Sequence, residues 1–131
     1  MDGKTPSGGG IRNYPYSYDM SINPLTYAAL GTTVDEVHDI GEVWAVTLWD
    51  MYWNLVDKYG YSNDLYNGTG GNNRAIKLVI EGLKQQPCSP GFIDARNAIL
   101  KADSILYGYA DKCEIWAAFA RRGMGVNAKQ G

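Results

Sequence analysis

From Val37 to Val56 apolar residues return at three- and four-residue spacing: Val37, Ile40, Val43 with Trp44, Thr47 with Leu48, Met51 with Tyr52, and Leu55 with Val56. A repeat of that period over so long a run draws one wide, heavy stripe along a single helix, and the rest of the chain must pack against it. Gly60 stands where a left-handed C-terminal cap is expected. Thr33 or Asp35 is expected to cap the start, and Asp35, Glu36, Asp39 and Glu42 crowd the first turns, where the helix dipole favours negative charge.

The other segments read as shorter helices around this one. Asn23-Pro24 has the form of an N-cap followed by a first-turn proline, opening a short helix that Gly31 closes. Tyr61 to Asn73, with Asn67-Gly68 and Gly70-Gly71, reads as a surface loop. A third helix is predicted from about Asn73 to Gln86 with Ile76, Val79, Ile80 and Leu83 inward. A fourth follows Ser89-Pro90, with Phe92, Ile93, Ile99, Ala102 and Leu106 on one face until Gly108. Asp111 and Glu114 have capping-box spacing and open a last helix through Ile115, Trp116, Phe119 and Ala120 to Gly123. No stretch alternates with period two, so the expectation is an all-α fold of about five helices around the long one. Its domain should run from 11 to 126, with 1–10 a flexible lead-in and 127–131 a tail.

The chain's 131 residues suit one core. A net charge of −2 with no basic stripe argues against nucleic acid as a partner. No apolar run approaches the roughly 20 residues that cross a bilayer, so no membrane partner is expected. Gly68-Thr69-Gly70-Gly71 lacks the lysine of a phosphate loop, and Asn63, Asp64 and Asn67 fall short of a calcium loop. Asn67-Gly68-Thr69 is a glycosylation sequon, relevant in a eukaryotic secretory pathway. Cys88 and Cys113 are either one disulfide or two buried thiols; with one histidine and no CxxC, structural zinc is the poorest option.

His38, the single histidine, heads the long helix, where packing would hold a switchable hydrogen-bond donor in place. His38 and Glu42 share a helical face, but a catalytic zinc needs three protein ligands, so no metal is expected on this chain alone. Of Trp44, Trp49 and Trp53, Trp53 lies off the face of the other two, so some of these rings are expected to meet a surface outside the domain.

Five segments in order carry a resemblance: Gly10-Ile11-Arg12-Asn13-Tyr14-Pro15-Tyr16-Ser17, Asn23-Pro24-Leu25-Thr26-Tyr27, Val37-His38-Asp39-Ile40-Gly41-Glu42-Val43-Trp44-Ala45, Gln86-Pro87-Cys88-Ser89-Pro90-Gly91-Phe92, and Cys113-Glu114-Ile115-Trp116 through Gly123. Together they resemble the C-terminal part of the fungalysin family of secreted zinc metallopeptidases, and more faintly the helical C-terminal domain of thermolysin-type enzymes. The resemblance implies a secreted zinc endopeptidase whose HExxH ligands lie N-terminal to this chain. That zinc-bearing N-terminal lobe of the same polypeptide would be its partner, and a peptide or protein its substrate. By the same resemblance His38 hydrogen-bonds the oxyanion, Arg12 binds a substrate carbonyl, and Cys88 pairs with Cys113. The position of the carboxylate that orients the histidine is occupied by Thr33, so Asp35 or Glu42 would have to serve. The competing expectation is a stand-alone helical protein-binding module without catalysis, anchored by exposed Trp and Tyr.

Overall fold

The computed structural model describes residues 12–130, and the lead-in expected at 1–10 lies outside the described residues. Among the described residues there are four α-helices: α1 (Val37–Tyr59), α2 (Gly71–Gln85), α3 (Phe92–Tyr107) and α4 (Lys112–Arg121). The only pairing of β type among them is an isolated bridge between Leu30 and Val34. The fold is all-α, with α1 packed on α2 and α4, α2 on α3, and α3 on α4.

The short helix expected after Asn23 is a single 3-10 turn, Tyr27–Ala29. The buried Asn23 side chain explains the difference. Its oxygen accepts the Leu25 N–H at 3.2 Å while its amide donates to the Pro15 carbonyl at 3.0 Å, which spends the capping group on a local turn. Similarly, α3 starts after Ser89-Pro90, with Gly91 as its N-cap residue; the Gly91 N–H donates to Asp94 at 3.1 Å. Gly60 and Gly108 end α1 and α3 with φ of 77° and 59°, a region in which glycine is at ease.

The main core joins Met51 and Leu55 of α1, Leu78 of α2, Ile99 and Ala102 of α3, Ile115 and Phe119 of α4, and Met124. Trp44 packs against Phe92 and Phe119, with ring centroids 5.5 and 5.6 Å apart. A smaller cluster of Leu25, Val34, Val43 and Val46 fixes the N-terminal segment on the first half of α1. Of the residues expected to be a tail, Lys129 and Gln130 are tied down: Gln130 accepts the Ile93 N–H and donates to Asp94, and the Lys129 carbonyl accepts the Tyr27 hydroxyl.

The orientation of α2 departs from expectation. Ala75, Leu78 and Gly82 face the core, whereas Ile76, Ile80 and Leu83 are 48%, 51% and 60% exposed. The bulkier stripe faces out because small residues sit where neighbouring helices come close. A Cβ on Gly71 would overlap the α1 backbone at Leu55 and Val56, and one on Gly82 would press on Ile99 at 2.9 Å. The outward stripe borders a groove of about 370 Å³ between α1 and α2, lined by Tyr16, Trp49, Tyr52, Ile76 and Ile80 among others. Beside it Trp49 and Tyr52 stack with centroids 5.6 Å apart, and Trp53 meets both rings edge-on at 5.7 and 5.4 Å.

Two buried ionic clusters hold the ends together. Arg122 is fully buried and directs its guanidinium to both oxygens of Asp50, at 2.6 and 3.2 Å, and to the carbonyls of Ser17, Asn23 and Leu25. Asp111, at the N-cap position of α4, makes no capping bond with its side chain. Its carboxylate instead takes Arg74 at 2.7 and 2.9 Å and the Tyr59 hydroxyl at 2.5 Å. Arg74 lies between the rings of Tyr59 and Tyr107, 4.2 and 3.7 Å from their centroids.

Candidate functional site

The N-terminal segment crosses the head of α1 and brings together two residues 26 positions apart: Arg12 Nη1 donates to the His38 carbonyl at 2.9 Å. Glu42, one turn further along α1 and fully buried, holds that crossing in place. Its carboxylate accepts the backbone N–H of Tyr14 at 2.8 Å and of Asn13 at 3.2 Å. A carboxylate on two backbone donors fixes the segment more firmly than neutral bonds would, and it sets the reach of the adjacent Arg12.

The carboxylate beside His38 is that of Glu36. One oxygen lies 2.7 Å from His38 Nδ1, and the other accepts the N–H of His38 at 2.8 Å and of Asp39 at 3.3 Å. Glu36 is thus both the N-cap of α1 and the residue that orients the imidazole. This corrects the expectation for Asp35 and Glu42: Glu42 is committed to Asn13 and Tyr14, and among the described residues Asp35 makes no hydrogen bond to the ring. It also corrects the expected caps, Thr33 and Asp35. Glutamate is a less usual N-cap than aspartate because of its extra methylene, and that length is what lets it reach the ring as well as the backbone. The sequence signal for it is the acidic residue two places before His38, which also complements the helix dipole. The hydrogen bond to His38, helped by the two backbone N–H groups, holds the Glu36 carboxyl below its ordinary range.

The His38 side chain is 70% exposed, so its ring is available to a group from outside the domain. With Nδ1 on an ionised carboxylate, Nδ1 carries a proton, and Nε2 donates when the ring holds a second one. Asn13 and Asp39, the chain neighbours of Arg12 and His38, line a cleft of about 490 Å³ together with Tyr14, Leu25, Thr33 and Val34. The arrangement therefore offers an oriented imidazole and a permanent guanidinium beside an open cleft.

Among the described residues no group of three or more His, Cys, Asp or Glu is placed to hold a metal ion. Beside His38, the single histidine, the carboxylates of Glu36 and Glu42 are engaged by backbone N–H groups, so the three protein ligands of a catalytic zinc are not assembled there. Cys88 and Cys113 are free and exposed, neither bonded to each other nor buried. Cys88 lies in the connection between α2 and α3, and Cys113 in the first turn of α4.

A family model described as fungalysin metallopeptidase (M36) matches residues 3–128. The extracellular metalloproteinase MEP of Neosartorya fischeri is 52% identical over 128 residues, 92% of this chain and 20% of that protein. Extracellular metalloproteinase 10 of Coccidioides posadasii is 48% identical over 127 residues, and extracellular metalloproteinase 1 of Arthroderma otae 49% over 126, both with the same coverage. The chain spans about a fifth of the length of these relatives. With the family match running nearly end to end, the chain belongs to the fungalysin metallopeptidase family.

Proposed function

We propose that this chain is the C-terminal helical domain of a secreted zinc metalloendopeptidase, forming one wall of the substrate cleft and contributing no metal ligand. The observation that carries the reading is the meeting of Arg12 and His38 at the head of α1, with Glu36 orienting the imidazole. In this role Arg12 binds a carbonyl of the peptide substrate through its planar fork. His38 Nε2 donates to the scissile carbonyl oxygen as negative charge develops there, a contribution worth roughly 3 to 4 kcal/mol when the donor is preorganised. Glu36 keeps the ring aimed and compensates its charge, while Glu42 keeps Arg12 in register.

Zinc, in this reading, is bound by the part of the polypeptide that corresponds to the other four-fifths of the relatives. That lobe seats on the outward stripe of α2 and the adjoining groove, where Ile76 and Ile80 are exposed beside Trp49 and would otherwise leave apolar surface in water. The isolated chain is then inert as a peptidase. The relatives are named as extracellular, and secretion is carried over from them. A free-standing binding module is disfavoured by the family match along nearly the whole chain.

The test is to purify the protein from its source and determine its intact mass, location and chelator sensitivity. The expected product is a larger polypeptide in the medium that cleaves peptides and loses activity when its metal is removed. A product of this chain's size, with no metal-dependent peptidase activity, would refute the reading.

A further inference from the structure

The loop between α1 and α2 carries a motif that the peptidase reading leaves unused, the acceptor sequence Asn67-Gly68-Thr69. The fold holds it in a well-defined turn. Asp64 Oδ1 accepts the N–H of Tyr66 at 3.1 Å and of Asn67 at 2.9 Å, and the Asp64 carbonyl accepts the Gly68 N–H at 3.0 Å. From beneath, the buried Asn73 amide donates to the carbonyls of Asp64 and Leu65 at 2.9 and 3.1 Å. Asn72 pairs with both backbone groups of Ser62.

Within this turn the three sequon residues divide by environment. Gly68 is packed inward, where a Cβ would collide with the Ser62 hydroxyl and the Asp64 carbonyl. Asn67 and Thr69 are exposed, and no hydrogen bond among the described residues engages the Asn67 side-chain amide. The acceptor and the hydroxyl residue that a glycosyl transferase must read thus face solvent on a rigid support. A second observation points to what sits there: Leu65 and Tyr66, immediately before the acceptor, are 57% and 90% exposed. An aromatic ring that bare at a loop tip has no protein partner among the described residues, and the C–H face of a pyranose is a chemical match for it.

We propose that Asn67 is an N-glycosylation site, and that the first sugars of its glycan cover the Leu65–Tyr66 tip. The co-reactant is a polyprenyl-pyrophosphate-linked oligosaccharide. The Asn67 Nδ2–C1 bond forms as the C1–oxygen bond to the pyrophosphate breaks, the lipid pyrophosphate leaves, and the amide gives up one proton. The proposal rests on secretion through a eukaryotic pathway, which is part of the function proposed above.

The experiment uses the full-length protein from its source, examined in medium and cell fractions. Enzymatic deglycosylation in heavy-oxygen water followed by peptide mapping reads the occupancy of Asn67 as labelled aspartate. The expected result is secreted protein with most Asn67 labelled. Asn67→Gln and Thr69→Ala should each remove one glycan from the gel mobility, whereas Thr69→Ser should retain it. All three should keep wild-type peptidase activity, while Asn67→Gln should be nicked between Tyr61 and Gly70 several-fold faster by an added protease. Secreted protein with unlabelled Asn67 would overturn the glycan and leave secretion standing. Protein found only inside the cell would overturn secretion and the glycan with it. Labelled Asn67 with unchanged nicking would overturn the covering of the tip alone.

Discussion

Replacing Arg122 by leucine should be among the most damaging single changes in this domain. The guanidinium makes five hydrogen bonds, two to Asp50 and three to carbonyls of the segment from Ser17 to Leu25, and both charged partners are fully buried. Removing one member of such a pair strands the other, at about 3–5 kcal/mol. Arg121, whose Nε lies 3.6 Å from Asp50, offsets part of this, which favours the lower half of the range. At about 0.05–0.15 kcal/mol per residue the whole domain is stable by roughly 7–20 kcal/mol, so a loss near 3–4 kcal/mol is a large share. It corresponds to a fall in Tm of about 10–20 °C. Thermal and urea unfolding of Arg122→Leu, Asp50→Asn and the double variant would measure it. The double variant should be no less stable than Arg122→Leu alone, because Asn leaves no stranded charge. Strict additivity, or a loss below about 1 kcal/mol as at a surface pair, would refute the reasoning.

Three further outcomes are expected. Glu42→Ala releases the backbone of Asn13 and Tyr14 and so lets Arg12 drift; in the full enzyme it should reproduce most of the KM increase of Arg12→Ala, and an unchanged KM would argue against Glu42 as a positioning residue. Gly71→Ala drives a methyl into the α1 backbone and should cost about 1–3 kcal/mol, read as a lower urea midpoint. Burial raises the Asp103 carboxyl above its ordinary 3.8, and its Oδ1 has no partner. The folded protein therefore holds that proton more tightly than the unfolded chain, and stability falls as pH climbs from about 3.8 through the raised value. Asp103→Asn should flatten that part of the stability–pH curve, which calorimetry across the acid range would follow.

Most of the architecture is legible in the sequence because it depends on local rules. The stripe along α1 and the glycines that end α1 and α3 act within a turn or two of chain, and the structure follows them from Ile40 onward; Val37 is 72% exposed, and Gly60 ends α1 with ψ of 177° rather than in the left-handed cap that Gly108 adopts. Where two local rules compete, tertiary packing decides. On α2 the bulky stripe of Ile76, Ile80 and Leu83 outweighs Ala75, Leu78 and Gly82 by hydrophobicity, but close helix approach needs the small residues. Asp50 and Arg122 are 72 residues apart and look like ordinary surface charges until the fold buries both. At the site, His38 stands out as the single histidine at the head of the long helix, but its role, and Arg12 altogether, are legible only by family resemblance. Glu36 was within reach from its place two residues before His38, but its double role depends on the geometry of the first turn.

The central claim, that this domain supplies a transition-state donor to a metal site located elsewhere, is tested most directly by His38→Ala in the full-length enzyme. Steady-state kinetics and metal analysis would be run on the same preparation. The account predicts a kcat lower by about 100- to 1000-fold, from loss of one oxyanion donor, with zinc content unchanged. Wild-type turnover, or loss of zinc together with activity, would contradict it.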